Sequence, residues 1–297
     1  MKKRKITADF LFKSKFMKVK NSRIHYIDVG EGDPIVFLHG VPTSSYIWRN
    51  IIPHLSSHAR CIAPDLIGMG KSGKPDVDYT VFDHIDYIED FINSLNLKNI
   101  TLVVHGLGSL IGLHYASKHK ENIKAIAFYE SYMHPIKSLD KLPLPVRHLL
   151  SMMQNDEGCY KAIIEQNYFF KKLLPQGALR NLSKEELEYY MEPFKKEEHR
   201  KPLWQYVQSM KQMHVGELRD LVHSFSEYLK ESIAPKLLMY SMPGFLTTME
   251  SIQWCRENYP NTKVVDLGDG YHFAQETDPH GFAEKLRDWY VGLPEKS

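Results

Sequence analysis

Apolar and polar positions follow a repeating pattern along this chain. Phe16-Met17-Lys18-Val19 and Arg23-Ile24-His25-Tyr26-Ile27-Asp28 read as two strands of a hairpin, with Asn21-Ser22 as the turn. Gly30, Gly32 and Pro34 punctuate the chain before Ile35-Val36-Phe37-Leu38, a continuous apolar run of the kind needed by a strand covered on both faces. The same unit of apolar run, loop and amphipathic segment then recurs. Arg60-Cys61-Ile62-Ala63-Pro64 leads through the loop Gly68-Met69-Gly70-Lys71-Ser72-Gly73 to residues 81–95, where Phe82, Ile85, Ile88, Phe91, Ile92 and Leu95 recur at helical spacing. Ile100-Thr101-Leu102-Val103-Val104 precedes a helix expected over about 109–119, and Ile123-Lys124-Ala125-Ile126-Ala127-Phe128 follows as a further buried strand. This alternation predicts an α/β fold with a mostly parallel, doubly wound sheet.

The rhythm stops after Glu130. No strand-like run occurs over 135–232; helical stretches are expected instead, including 160–170, 183–194 and 217–229. Strand patterning returns with Lys236-Leu237-Leu238-Met239-Tyr240 and Thr262-Lys263-Val264-Val265-Asp266-Leu267, and a helix over 282–290 closes the chain. The expected organisation is an α/β core from 1–134 and 233–297 interrupted by a helical cap over 135–232.

Charge narrows the functional classes. With 38 Lys+Arg against 36 Asp+Glu the formal net charge is +2, which removes the electrostatic case for a nucleic-acid partner. Cys61, Cys159 and Cys255 form no CxxC pair, so neither a zinc cage nor a disulfide framework is expected, and no metal or other cofactor. The basic start Met1-Lys2-Lys3-Arg4-Lys5 runs into Ile6-Thr7-Ala8-Asp9-Phe10 rather than into the unbroken apolar stretch of a secretory signal. The most apolar window, 100–116, contains His105, His114 and three glycines and is too short to span a bilayer, so a cytoplasmic protein with no membrane association is expected.

In an open α/β sheet, ligands bind beyond the carboxyl ends of the strands. Four loops occupy such positions: His39-Gly40-Val41-Pro42-Thr43, His105-Gly106-Leu107-Gly108, Tyr129-Glu130-Ser131 and Gly268-Asp269-Gly270-Tyr271-His272. The small residues around Gly106 fit a nucleophile elbow, and the chain order of elbow, acid and His is that of an α/β-hydrolase. Ser109, three residues on, falls inside the first helical turn and is a poor replacement nucleophile. His105 is expected to pack beneath the turn, Asp65 to bond loop backbone, and the 68–73 loop lacks the spacing of a phosphate-binding motif.

The sequence resembles haloalkane dehalogenases, and about equally the related coelenterazine-type luciferases, over nearly its whole length. The resemblance is carried by His39-Gly40, Pro42-Thr43-Ser44-Ser45-Tyr46-Ile47-Trp48-Arg49, Pro64-Asp65-Leu66-Ile67-Gly68-Met69-Gly70-Lys71-Ser72, Tyr190-Met191-Glu192-Pro193-Phe194 and Pro243-Gly244. It implies a buried pocket between core and helical cap, with Phe169, Phe170 and Phe245 in pocket-lining segments; Tyr168, Leu173, Leu174, Trp204 and Leu246 are further candidates. It also implies a catalytic set of five, from which this chain departs. The elbow Asp of that family corresponds to Gly106, the halide-holding Trp to Leu107 and the second halide donor, Asn, to Val41; only the base His272 and its partner Glu130 match.

Displacing a halide needs a carboxylate nucleophile and N–H donors for the leaving anion, and Gly, Leu and Val side chains supply neither. The expectation is therefore an enzyme that is no functional dehalogenase, in which a His272–Glu130 dyad serves as general base on a small apolar substrate. The backbone N–H groups of Val41 and Leu107 would form an oxyanion hole. Non-covalent hydrolysis, C–C cleavage, cyclisation and cofactor-free oxygenation all suit that set. The alternatives are a non-catalytic, receptor-like binding protein on the same fold and a luciferase-like monooxygenase.

Overall fold

Eight strands form a single sheet in this computed structural model, which describes residues 5–294; Met1, Lys2, Lys3 and Arg4 of the basic start lie outside the described residues. The strands are β1 (Lys15–Val19), β2 (Ser22–Val29), β3 (Pro34–Leu38), β4 (Arg60–Pro64), β5 (Ile100–Gly106), β6 (Ile123–Ser131), β7 (Lys236–Pro243) and β8 (Thr262–Gly270). Their order is β1-β2-β4-β3-β5-β6-β7-β8. The β1–β2 and β2–β4 pairs are antiparallel and all the others parallel. Val19 pairs with Ser22, so the hairpin turn is Lys20-Asn21, one residue earlier than the pattern suggested. Lys20 takes φ 50, the positive value that a two-residue hairpin turn demands.

β3 and β5 are buried along their whole length, as their unbroken apolar runs require. Between strands run α1 (Val81–Ser94) and α2 (Leu107–Lys118). The first opens with a capping box, in which the Thr80 side chain accepts from the Asp83 N–H and the Asp83 carboxylate accepts from the Thr80 N–H. Apolar residues bury nearly every face of α2, which packs on β5 and β6.

From residue 132 to 235 the described chain contains no strand. Its helices include Leu144–Met152, Lys184–Met191, Lys201–Gln212 and Gly216–Glu231. The continuous helix expected over 160–170 is instead split: Lys161–Glu165 and Phe169–Leu173 are π-helical turns on either side of Asn167, which takes φ 54. Such widened turns occur mostly singly and frequently at functional sites.

One buried ion network ties this helical segment to the sheet-bearing part of the chain. Arg49 donates from Nη1 to Glu276 Oε1 (2.5 Å) and from Nη2 to Glu186 Oε1 (2.6 Å). Arg180 donates to Glu186 and Glu276, each at 2.6 Å, and Tyr190 donates its hydroxyl to Glu276. Neither Arg49 nor Glu276 exposes any side-chain surface. Such charges survive burial only because each is paired and multiply hydrogen-bonded. Among the described residues, no helix is long and apolar enough to cross a membrane.

Candidate active site

The site begins at the carboxyl ends of β3, β5, β6, β7 and β8. Along β6 the pairing with β5 slips: His105 faces Tyr129, whereas Gly106 faces Ser131, which leaves Glu130 as a bulge residue at φ 48. A bulge re-aims the side chain it carries. Here it aims the Glu130 carboxylate at the loop after β7, where Oε2 accepts from the N–H groups of Phe245 (3.0 Å) and Leu246 (2.7 Å) and Oε1 from that of Thr247 (3.1 Å). His272 follows β8, and its Nδ1 lies 2.9 Å from Glu130 Oε2. An acceptor-only carboxylate at this distance fixes the proton on Nδ1 and leaves Nε2 of the neutral ring as a base.

The other edge of the imidazole faces the elbow. Gly106 has φ 51 and ψ −123, a conformation open to glycine and strained for other residues. A Cβ built there would lie 3.7 Å from His272 Nε2 and 3.3 Å from Gly40 Cα. The turn at Gly106 therefore faces the His272 ring and carries no side chain. Gly108 lets the following turn close, since a Cβ on it would fall 2.3 Å from the Leu38 carbonyl oxygen. Leu107 is the first residue of α2, so its N–H is one of the four that a helix leaves unsatisfied at its positive end.

His105 is fully buried beneath this turn, with Nε2 2.9 Å from the His272 carbonyl oxygen, and burial holds it well below the ordinary histidine pKa. It bonds the backbone that carries His272. Ser109 is fully buried and doubly engaged: its hydroxyl donates to the Gly106 carbonyl (2.7 Å) and accepts from the Tyr132 N–H (3.0 Å).

A cavity of about 390 Å³ opens over His272. Val41, Phe169, Phe245 and His272 all line it, together with Tyr168 and Leu173. Phe170 does not line it: its ring packs on Phe194 at 5.2 Å. Leu246 and Trp204 are absent from its wall as well. Phe245 and Leu246 are neighbours in the bend after β7 whose consecutive N–H groups converge on Glu130, and their side chains reach different cavities; Leu246 lines a separate cavity of about 350 Å³ beside Trp254. Trp204 lies two positions, or about 200°, from Tyr206 on the helix Lys201–Gln212. Tyr206 and Met210, one turn apart, face the cavity in its place. Pro145, Leu149 and Met152, along one face of Leu144–Met152, complete the wall and were not anticipated; their spacing of i, i+4, i+7 was the available signal. Among the described residues no Asp or Glu lines this cavity. Among the described residues no group of three or more His, Cys, Asp or Glu is placed to hold a metal ion, and the three cysteines are buried and free.

Strand order, elbow, bulged acid and terminal histidine together specify one architecture, and residues 33–279 match the family described as "alpha/beta hydrolase fold". The chain belongs to the α/β-hydrolase fold family. Among the family's characterised proteins, a haloalkane dehalogenase of Agrobacterium fabrum is 36% identical over 276 residues, covering 91% of this chain and 89% of the relative. The coelenterazine h 2-monooxygenase of Renilla reniformis is 35% identical over 297 residues, covering 97% and 94%. A solved haloalkane dehalogenase structure from Bradyrhizobium elkani superposes with a TM-score of 0.91 at 30% identity, covering 95% of this chain and 98% of that one. The chain is thus similar over nearly its whole length both to haloalkane dehalogenases and to a coelenterazine monooxygenase.

Proposed function

We propose that this α/β-hydrolase is an enzyme that works without a covalent nucleophile at its elbow. The single observation that carries the reading is the geometry of His272: Nδ1 sits 2.9 Å from a carboxylate held by three backbone N–H groups, and Nε2 lies beside the empty side of Gly106. A base oriented in this way, at the floor of an apolar cavity, is suited to removing a proton from a substrate or from a water bound where a nucleophile would otherwise stand. The N–H groups of Val41 and Leu107 would hold the oxyanion, since backbone donors persist whatever side chain replaces a polar one.

Several reactions begin with that proton transfer: hydrolysis by activated water, C–C cleavage, cyclisation and cofactor-free oxygenation. Residues 135–232 would serve as the cap that closes the cavity over a small apolar substrate. Dehalogenation does not fit, because Gly106, Leu107 and Val41 stand where the resemblance implies a carboxylate and two halide-binding N–H donors. A luciferase-like oxidation is the second reading, favoured by the 35% identity to the Renilla monooxygenase over 97% of this chain.

The test is His272→Ala. Loss of turnover by roughly 10²–10⁴-fold, the usual contribution of a general base, with ligand binding retained supports the proposal. Turnover on every accepted substrate that is indifferent to this change overturns it and leaves a binding protein. Light emission with coelenterazine that disappears in His272→Ala would select the second reading.

A further inference from the structure

A second set of chemistry-bearing side chains lies outside the His272 cavity. Asp65, at the end of β4, is fully buried, and its carboxylate accepts from the N–H groups of Ser45 (Oδ1, 2.7 Å) and Lys71 (Oδ2, 2.8 Å). The glycine-rich loop makes this possible: a Cβ on Gly70 would fall 2.1 Å from Asp65 Oδ2, so only glycine lets the backbone wrap the carboxylate so closely. His25 Nδ1 stands 2.8 Å from the same Oδ2, and His25 Nε2 stands 2.9 Å from Ser14 Oγ. Because the carboxylate can only accept, His25 carries its proton on Nδ1 and Nε2 accepts from the Ser14 hydroxyl. Lys71 Nζ donates to Ser14 Oγ at 3.3 Å.

We propose that Ser14, His25 and Asp65 form a second Ser–His–Asp relay, in which Ser14 is an activated nucleophile toward small activated acyl donors such as aryl esters. The arrangement meets the geometric requirement for such a set: nucleophile and base within hydrogen-bond reach, and the base in turn oriented by a buried carboxylate. His25 and Asp65 are shielded, whereas Ser14 lies partly exposed at the entrance to β1. Aromatic rings border the position: Phe16, nearly half exposed, packs 5.2 Å from the His25 ring, and Lys71 lies over the rings of Phe10 and Tyr189. They offer apolar surface to an aryl leaving group, and the Lys71 ammonium offers a positive charge beside the reacting oxygen.

The chemistry is an ordinary acyl transfer. Ser14 Oγ bonds to the acyl carbon while its proton passes to His25 Nε2; the C–O bond to the aryl group breaks, and that proton leaves with the phenol. Water then loses a proton to the same Nε2 as its oxygen bonds to the acyl carbon; the acyl–Oγ bond breaks, Ser14 Oγ takes that proton back, and the carboxylic acid leaves.

The experiment uses the full chain with p-nitrophenyl acetate and with a fluorophosphonate probe, followed by intact-mass measurement and peptide mapping. The elbow of the main site has no side chain, so it contributes no covalent product. One acyl or phosphonyl group per chain on Ser14 is expected, absent in Ser14→Ala and formed at least 100-fold more slowly in His25→Gln. Ser14→Ala removes a partly exposed hydroxyl and so serves even if His25→Gln fails to fold. Labelling spread over several serines, labelling at Ser14 no faster than at other exposed serines, or unaltered labelling in folded His25→Gln overturns the proposal. Labelling of Ser14 that persists in His272→Ala separates this site from the reading of the main cavity, which stands or falls independently.

Discussion

Replacing Gly106 by Asp tests both the backbone and the chemistry of the elbow. At φ 51 and ψ −123 a non-glycine residue pays backbone strain of about 1–3 kcal/mol, and its Cβ meets Gly40 Cα at 3.3 Å, tighter than an ordinary contact. At roughly 2–4 °C per kcal/mol for a chain of this size class, the variant should melt several degrees below the parent, and Gly106→Ala should show a similar deficit without any new charge. The new carboxylate would stand beside the base, its Cβ 3.7 Å from His272 Nε2, yet halide would still leave without help from Leu107 or Val41. Each missing donor of this kind costs about 10²–10³ in rate, so the two together hold the single variant about 10⁴–10⁶-fold below a complete site. The assay is halide release from 1-bromobutane and 1,2-dibromoethane, alongside calorimetric melting. Robust halide release from the single variant would refute the assignment of Val41 and Leu107, and a melting temperature at or above the parent's would refute the strained elbow.

Other consequences are equally direct. Glu130→Gln leaves one amide N–H facing another donor, because all four partners of the carboxylate donate; a loss of about 1–3 kcal/mol in chemical unfolding, together with a fall in any His272-dependent turnover, is expected. Phe245→Ala removes an aromatic wall beside the base and should weaken binding of apolar ligands in calorimetric titration, whereas Phe170→Ala should lower stability by roughly 3–5 kcal/mol through loss of packing on Phe194. Glu186 titrates at about 2: burial acts to raise it, but the hydrogen bonds from Arg180 and the Ser183 N–H and the charges of Arg180 and Arg49 outweigh that. Because the folded value is depressed, its stabilisation is complete above the ordinary carboxylate value of about 4.5 and is lost as pH falls from there toward 2. Urea melts at stepped pH should show that acid limb, and Glu186→Gln should flatten it.

The α/β rhythm was legible because β3, β5 and β6 are covered on both faces and so need unbroken apolar runs. The position of His272 was legible for a related reason, since loops at strand ends are where a sheet presents polar groups; Glu130, expected in such a loop, lies instead inside β6 at its bulge, which the residue pattern does not reveal. The cavity wall was not legible. An apolar helical face against a ligand carries the same spacing as one against a core, so the spacing of Leu149, Met152, Tyr206 and Met210 marks a buried face without saying which of the two it meets. The bend after β7 turns Phe245 and Leu246 toward different cavities, which their order in the chain does not reveal. The hairpin turn moved by one residue because β pairing, not polarity, decides which two residues stay unpaired. The 160–170 stretch read as one helix because composition does not reveal a left-handed residue such as Asn167.

The four-charge knot of Arg49, Glu186, Glu276 and Arg180 also constrains how anything could enter. Parting the helices from the sheet along that seam would strand charged groups away from both partner and water, at a cost of several kcal/mol for each ion uncovered. That seam behaves as a rivet. Among the described residues no ion pair joins Leu144–Met152 to the Phe169–Leu173 turn, and His148, Met152 and Lys172, which line the cavity from those two pieces, are exposed, so an approach to His272 on that side would break no charged pair. Admission would then be set by how far two short helical pieces can part, rather than by any swing of the segment as a whole.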